Sequence, residues 1–314
     1  MKIVNFSTLP FSALLLLMVT AGCETPITVS IPDAEPLLVV EGRIEPGLPP
    51  VVLLSRSQDY FAPVDASLLG SLYSGGGEVW LTVDGEPVQL DEKCADALGP
   101  DELMLAAALL GVPVEVLILS NLCAYTSFAI SGEVGRTYGL MAVLDGDTAY
   151  AASKLNPPVG LDSLWFEAPG NVDTLGFIYA SFTDPDSLGN AYRWSAMRVG
   201  KDGGLLYPPR STVDDALFNG LSFSFSQFRP VTADDFDEDA NPDEIGFYKV
   251  GDTVIVRWDH IDRGAYDAIT TMEVQLQSQG SPFANPADVE TNIEGGQGQW
   301  VAYSPFVDTV ICIP

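Results

Sequence analysis

From residue 37 onward the chain falls into short apolar runs, several alternating apolar with polar positions, cut by Gly, Pro and Asp. That period of two places one face of a strand in a core and the other in water. LLVVEGRI (37–44) and VVLLSRS (51–57) flank the turn-rich EPGLPP, which predicts a hairpin. EVWLTVDGEPVQL (78–90) breaks at Asp84-Gly85, and TYGLMAVLDGDTAYAA (137–152) breaks at Asp145-Gly146. Both dipeptides suit the positive φ angles of a two-residue hairpin turn. SLWFEA (163–168), GFIYASFTD (176–184), AYRWSAMRVG (191–200), TVIVRWDH (253–260) and DTVICIP (308–314) predict further strands.

Two segments depart from this pattern. DELMLAAALLG (101–111) has an acidic start, an Ala/Leu interior and a terminal Gly, which are helix signals. It predicts a helical insertion within the first β unit. In DRGAYDAITTMEVQLQSQG (262–280), Ala265, Ile269, Met272 and Leu276 recur at spacings of four, three and four, the period of an amphipathic helix. LNPPVG (155–160) carries adjacent prolines and reads as an extended connector. The expected fold is therefore mainly β. It comprises two β-sandwich-like domains, 37–156 and 157–314, with a short helical insertion in the first and one amphipathic helix in the second.

The N-terminus follows other rules. Lys2 precedes the apolar FSALLLLMV (11–19), and TAGC (20–23) follows at once. Charge, apolar core and small residues in that order predict a signal peptide over 1–22. The apolar run falls well short of the ~20 residues a membrane-spanning helix needs. A cysteine directly after Ala21-Gly22 matches a bacterial lipobox, with Thr20 where Leu is usual. Cys23 is thus expected to carry diacylglycerol and an N-acyl chain of the palmitate kind, holding the protein to a membrane. The plainer alternative is an ordinary signal peptide whose mature chain happens to start with Cys. Residues 23–36, with Pro26, Pro32 and Pro36, predict an extended tether.

Charge narrows the partners. Among 314 residues, 43 are acidic and 14 basic, a formal net charge of −29. Such a field repels nucleic acid and anionic lipid head groups, and favours a cationic ligand or calcium over them. A solvated acidic surface is the plainer account and is preferred over any specific site. Of the remaining cysteines, Cys94 and Cys123 bracket the helical insertion and are expected to pair in an oxidising compartment, leaving Cys312 free. A single histidine excludes a multi-His zinc centre.

Candidate chemistry is sparse. Within DDFDEDANPDE (234–244), Asp235, Asp237, Asp239 and Asn241 alternate as calcium ligands do. Ala240 occupies the position that needs Gly, and Gly246 the position that needs Glu, so this is no EF-hand. A solvated acidic loop and a looser calcium site are the two readings. His260 stands between Asp259 and Asp262, a general-base arrangement, but no GxSxG elbow accompanies it and no cysteine has an obvious pairing to it. It reads better as a hydrogen-bonding residue at a helix entry. NIEGGQGQW (292–300) lacks the Lys of a phosphate loop and reads as a turn or a close backbone approach. Tyr60, Phe61 and Tyr73 lie in the long loop-rich stretch 56–77, where aromatics either grip a peptide or sugar or plug the end of the sandwich.

Three blocks, in order, carry a family resemblance: VVEGRIEPGLPPVVLLSRSQDYF; DPDSLGNAYRW; and the run HIDRGAYD, SQGSPFANPADVETNIEGG, AYSP. They resemble a family of Bacteroidota lipoproteins known as domain of unknown function 4249, over nearly all of the mature chain. The resemblance implies an outer-membrane lipoprotein, often encoded beside a TonB-dependent transporter, and implies no defined activity. The expected function is a non-enzymatic surface lipoprotein that captures or gates a nutrient for such a transporter. An extracellular hydrolase with a carboxylate pair and a structural or adhesive envelope protein remain as alternatives.

Overall fold

A computed structural model describes residues 35–58, 72–73, 75–169, 174–278 and 288–313. Cys23, the expected signal peptide, Tyr60 and Phe61 lie outside the described residues, as does all but the end of the expected tether.

The first half builds one large sheet. Its strands are β1 (Leu38–Ile44), β2 (Val51–Arg56), β3 (Glu78–Val83), β4 (Glu86–Cys94), β5 (Cys123–Thr126), β6 (Thr137–Leu144) and β7 (Asp147–Lys154). The three expected hairpins form: β1–β2, β3–β4 and β6–β7 are antiparallel pairs. At the last two, Asp84-Gly85 (φ 52° and 90°) and Asp145-Gly146 (φ 51° and 92°) supply two consecutive positive φ angles, as the turn demands. Between β4 and β5 lie α1 (Pro100–Leu110) and α2 (Val114–Ser120), bent 101° from each other. The Glu102 carboxylate accepts from the Gly99 N–H to cap α1 at its start, and Gly111 (φ 70°) ends it.

The rest of the chain supplies β8 (Ser163–Glu167), β9 (Leu175–Thr183), β10 (Ala191–Arg198), β11 (Thr212–Asp214), β12 (Ser222–Gln227), β13 (Tyr248–Lys249) and β14 (Thr253–Ile261). These are followed by α3 (Arg263–Ser278), β15 (Ile293–Glu294), β16 (Gln297–Ala302) and β17 (Ser304–Ile311). One sheet runs β11-β10-β14-β17, and a second runs β12-β9-β13 with β8 also on β9. Their facing sides enclose Ile178, Phe182, Tyr192, Trp194, Trp258 and Cys312, a sandwich core rich in edge-to-face and stacked rings.

The protein is mainly β, as the alternating pattern requires, but its first sheet differs from a stacked pair. It is a single nine-stranded sheet, β15-β7-β6-β3-β4-β5-β2-β1-β16, whose two edge strands are neighbours along the chain. The sheet therefore curls until its ends approach. The Trp300 indole, fully buried on β16, reaches across the interior to donate to the Tyr138 carbonyl on β6 (2.9 Å). Residues Pro36–Pro314 cluster as one compact unit. The cause is visible in the strand order: β15 and β16 return from beyond 156/157 into the sheet of β1–β7, and only Tyr303 separates β16 from β17 in the sandwich.

Helix α3 buries Ala265, Ala268 and Ile269, while Leu276 is 55% exposed. Its buried apolar positions lie in its first half, so the apolar stripe expected as far as Leu276 runs on into solvent.

Cys94 and Cys123 sit directly opposite each other on β4 and β5 and are joined by a disulfide, while Cys312 is free and buried. Replacing both bridge cysteines with serine is expected to cost about 3–4 kcal/mol through the entropy regained by the unfolded chain. A urea melt would read that loss. Burial pushes the Cys312 thiol up to about 12. It should thus stay unreactive to alkylating agents until the protein unfolds.

Candidate functional site

Alternation along β1 has a second consequence. Leu38, Val40 and Ile44 enter the core of the curled sheet, so Glu41, Arg43 and Glu45 occupy its outer face. That strip is the floor of a groove. One wall is the end of α1 and the start of α2 (107–114), held there because Val51 on β2 packs under the helical insertion. The other wall is Gly203, Gly204, Leu205 and Tyr207 from the β10–β11 connection, with Arg257 of β14 and Tyr303. The groove encloses about 740 Å³ and continues along the strand into a recess of about 270 Å³, lined by Glu41, Arg43, Gln299 and Arg193 among others. This is the size range of small-ligand sites.

The far wall is braced by paired charges. Arg193, 7% exposed, donates from Nη1 to the Tyr303 hydroxyl (2.8 Å) and from Nε to Ser211 Oγ (3.0 Å). Its Nη2 lies 3.5 Å from Glu273, and its guanidinium stacks 3.7 Å from the centre of the Tyr207 ring. Arg257 pairs with both Glu45 (3.0 Å) and the fully buried Asp259 (2.8 Å). Burial works against the Arg257 cation, but Asp259 and Glu45 outweigh it and hold its pKa above the ordinary guanidinium value. Burial likewise pushes the Tyr303 phenol up to about 12, so it remains a neutral hydrogen-bonding group. Opposite Arg257 on β10, Ser195 Oγ is buried with no hydrogen-bond partner among the described residues.

The floor is different. The Glu41 carboxylate keeps open surface at the rim, yet crowding by the groove raises its pKa, against the lowering effect of the Tyr73 hydroxyl. Tyr73 reaches it at 3.4 Å, which brings one of the three candidate aromatics to the groove. Arg43 makes no hydrogen bond or ion pair among the described residues, and neither does the Gln299 side chain, whose Oε1 is sealed from solvent.

Residues 24–307 match the family described as a domain of unknown function, DUF4249. The chain belongs to that family. No curated protein matches it. For this DUF4249 member the fold therefore stands without an inherited activity, and the groove must be judged on its own chemistry.

The other candidates from the sequence lie elsewhere. Asp235 is not turned toward Asp237 and Asp239. Its carboxylate binds the guanidinium of Arg229, itself only 3% exposed, and accepts from the Thr232 N–H (2.7 Å). Asn241 Oδ1 accepts from the Asp243 N–H (3.1 Å), and Asp237 and Asp239 are exposed. A cation at this loop would have to strip Asp235 from a buried arginine, which is costly. Among the described residues, the only three metal-binding side chains within reach of one ion are Glu92, Cys94 and Cys123, and both sulfurs there are spent on the disulfide. Arg229 holds the Asp235 carboxyl down at about 2. Its contribution to stability is thus present above about pH 4 and lost as pH falls through about 2. The urea midpoint of Asp235→Asn should lie below that of the wild type at neutral pH, with the gap closing across that acid range.

His260 is buried, with Nδ1 2.8 Å from the Pro157 carbonyl and its ring against Tyr192. Its neighbour Asp259 is committed to Arg257. Burial lowers the His260 pKa, which keeps the ring neutral. It ties the 155–160 connector to β14.

Proposed function

We propose that this chain is a lipid-anchored surface protein that captures a small ligand for a TonB-dependent outer-membrane transporter and performs no chemistry on it. The groove carries the reading: an open, ligand-sized cleft on a braced β scaffold, with apolar walls and a few fixed polar groups. Glu45 and Asp259, carboxylates that a hydrolase would need free, both pair with Arg257. A recessed groove also favours capture over flat adhesion. TAGC after an apolar core supports the anchor at Cys23, and the family resemblance supports the transporter as partner. The α1–α2 hairpin offers a docking surface, since Met104, Ile118 and Leu119 are more than half exposed.

Gentle detergent extraction from cells grown under nutrient limitation tests the proposal. A β-barrel receptor should copurify with the wild-type chain, and Cys23→Ser should release the protein from the membrane fraction. Retention of that variant would remove the lipid anchor from the account, and failure to recover any barrel protein would remove the transporter.

A further inference from the structure

Three of the chain's 14 basic residues line this one groove, and two are already spent. Arg193 is held by Tyr303, Ser211 and Glu273, and Arg257 by Glu45 and Asp259. Arg43 is the exception. Its strand partners on either side are Val51 of β2 and Val301 of β16, both buried and apolar. The acids two residues away on its own strand are engaged elsewhere, Glu45 with Arg257 and Glu41 with Tyr73. A partly buried guanidinium between two valines, with no ion pair among the described residues and with its nitrogens still open to the groove, is free to take a charge-assisted contact from an anion.

The neighbouring row holds a second unsatisfied group. Gln299 pairs with Glu41 in the β1–β16 register, and its amide makes no hydrogen bond among the described residues. With Oε1 sealed from solvent, the amide NH2 is the group left to meet a ligand, a donor that suits a peptide carbonyl. Rows two residues apart along a strand are separated by roughly 6.6–6.8 Å, the span of two residues of an extended peptide. Leu48, Leu110, Val112 and Tyr207 line the same groove and suit an apolar side chain.

We infer that the groove binds the C-terminal end of a short peptide-like ligand: Arg43 takes the terminal carboxylate and Gln299 an upstream amide. The inference rests on the ligand-capture reading above and names the class of ligand. The net charge of −29 opposes an anion at long range, but at physiological salt the Debye length is about 8 Å. Distant surface acids are then screened, while a guanidinium in contact with the carboxylate is not.

Titration calorimetry on the full chain tests this with N-acetyl-Ala-Leu, as the free acid and as the C-terminal amide. The free acid should bind at least about tenfold more tightly than the amide, the effect of one charge-assisted contact. Arg43→Gln should remove that preference, Arg43→Lys should keep part of it, and Gln299→Leu should weaken both probes alike. Acetate should compete only weakly. Equal binding of acid and amide, which needs no variant, would overturn the inference, as would an Arg43→Gln protein with an unchanged urea midpoint and unchanged affinity. Acetate competing as well as the dipeptide would overturn the amide contact. A chain that copurifies with a barrel receptor but ignores the free acid would overturn this inference and leave the accessory role standing.

Discussion

Gly298→Ala is expected to destabilise the protein by about 2–6 kcal/mol, more than a surface change of one methyl group normally costs. Gly298 lies on β16 opposite Val40 and adopts φ +104°, a conformation that side chains rarely take. A Cβ there would stand 2.1 Å from the Val40 carbonyl oxygen. Backbone is what it meets, and backbone in the middle of a sheet cannot swing aside as a flexible side chain can. The strand would have to withdraw, loosening the β1–β16 pairing that lays the groove floor. Gly203→Ala is the control: a Cβ at that groove-lining position has nothing within 4 Å. Its unfolding free energy from a urea melt should stay within about 0.5 kcal/mol of the wild type, and a comparably small effect at Gly298 would refute the close-approach account.

Arg257→Met should cost about 3–5 kcal/mol, because it leaves Glu45 and Asp259 buried without their shared cation. The pair itself contributes little net stability, since desolvating three charges offsets most of their attraction. The stranded carboxylates create the penalty. Burial already holds the Asp259 carboxyl above its ordinary value, and loss of its cation removes what opposes that rise, so the deficit should be full near neutral pH and shrink as acid protonates Asp259. Adding Glu45→Gln and Asp259→Asn to Arg257→Met should recover part of the loss at neutral pH. A triple variant no more stable than the single one would show that packing of the arginine stem, not unpaired charge, sets the cost.

Local signals in the sequence were legible where the structure uses local rules. Asp84-Gly85 and Asp145-Gly146 marked their turns because only a few residue types accept two positive φ angles in a row. The first helix announced itself through Glu102 and Gly111. Helix α2 did not, since VEVLILS is an apolar run that suits a buried strand as well as a helix. The parallel β1–β16 pairing was also hidden: no local pattern says which distant strand will close a sheet. NIEGGQGQW did mark a close backbone approach, without naming Val40 as what it approaches. The groove was legible only in part. Tyr73 pointed to it, but Arg43 and Gln299 look like ordinary alternating polar residues on their strands. They become noticeable only once the fold shows that their neighbours are engaged elsewhere. The acid run at 234–244 reads as a row of equivalent carboxylates, because a one-dimensional count cannot see Arg229 beneath Asp235.

The meeting of β1 with β16 sets the order in which this protein can be completed. Val40 and Gly298 are partners, and nearly the whole described chain lies between them. The entropy of closing so large a loop must be overcome before the contact contributes anything, so this pairing belongs to the late, slow steps of folding. While the chain is emerging from its N-terminus during synthesis, β1 has only β2 beside it and presents an open edge. The strip bearing Glu41, Arg43 and Glu45 stays incomplete until β16 emerges, because Gln299 and Tyr303 arrive with it. A chain cut short before β16 would keep its hairpins, lose the groove outright, and carry an unpaired strand prone to association with other chains.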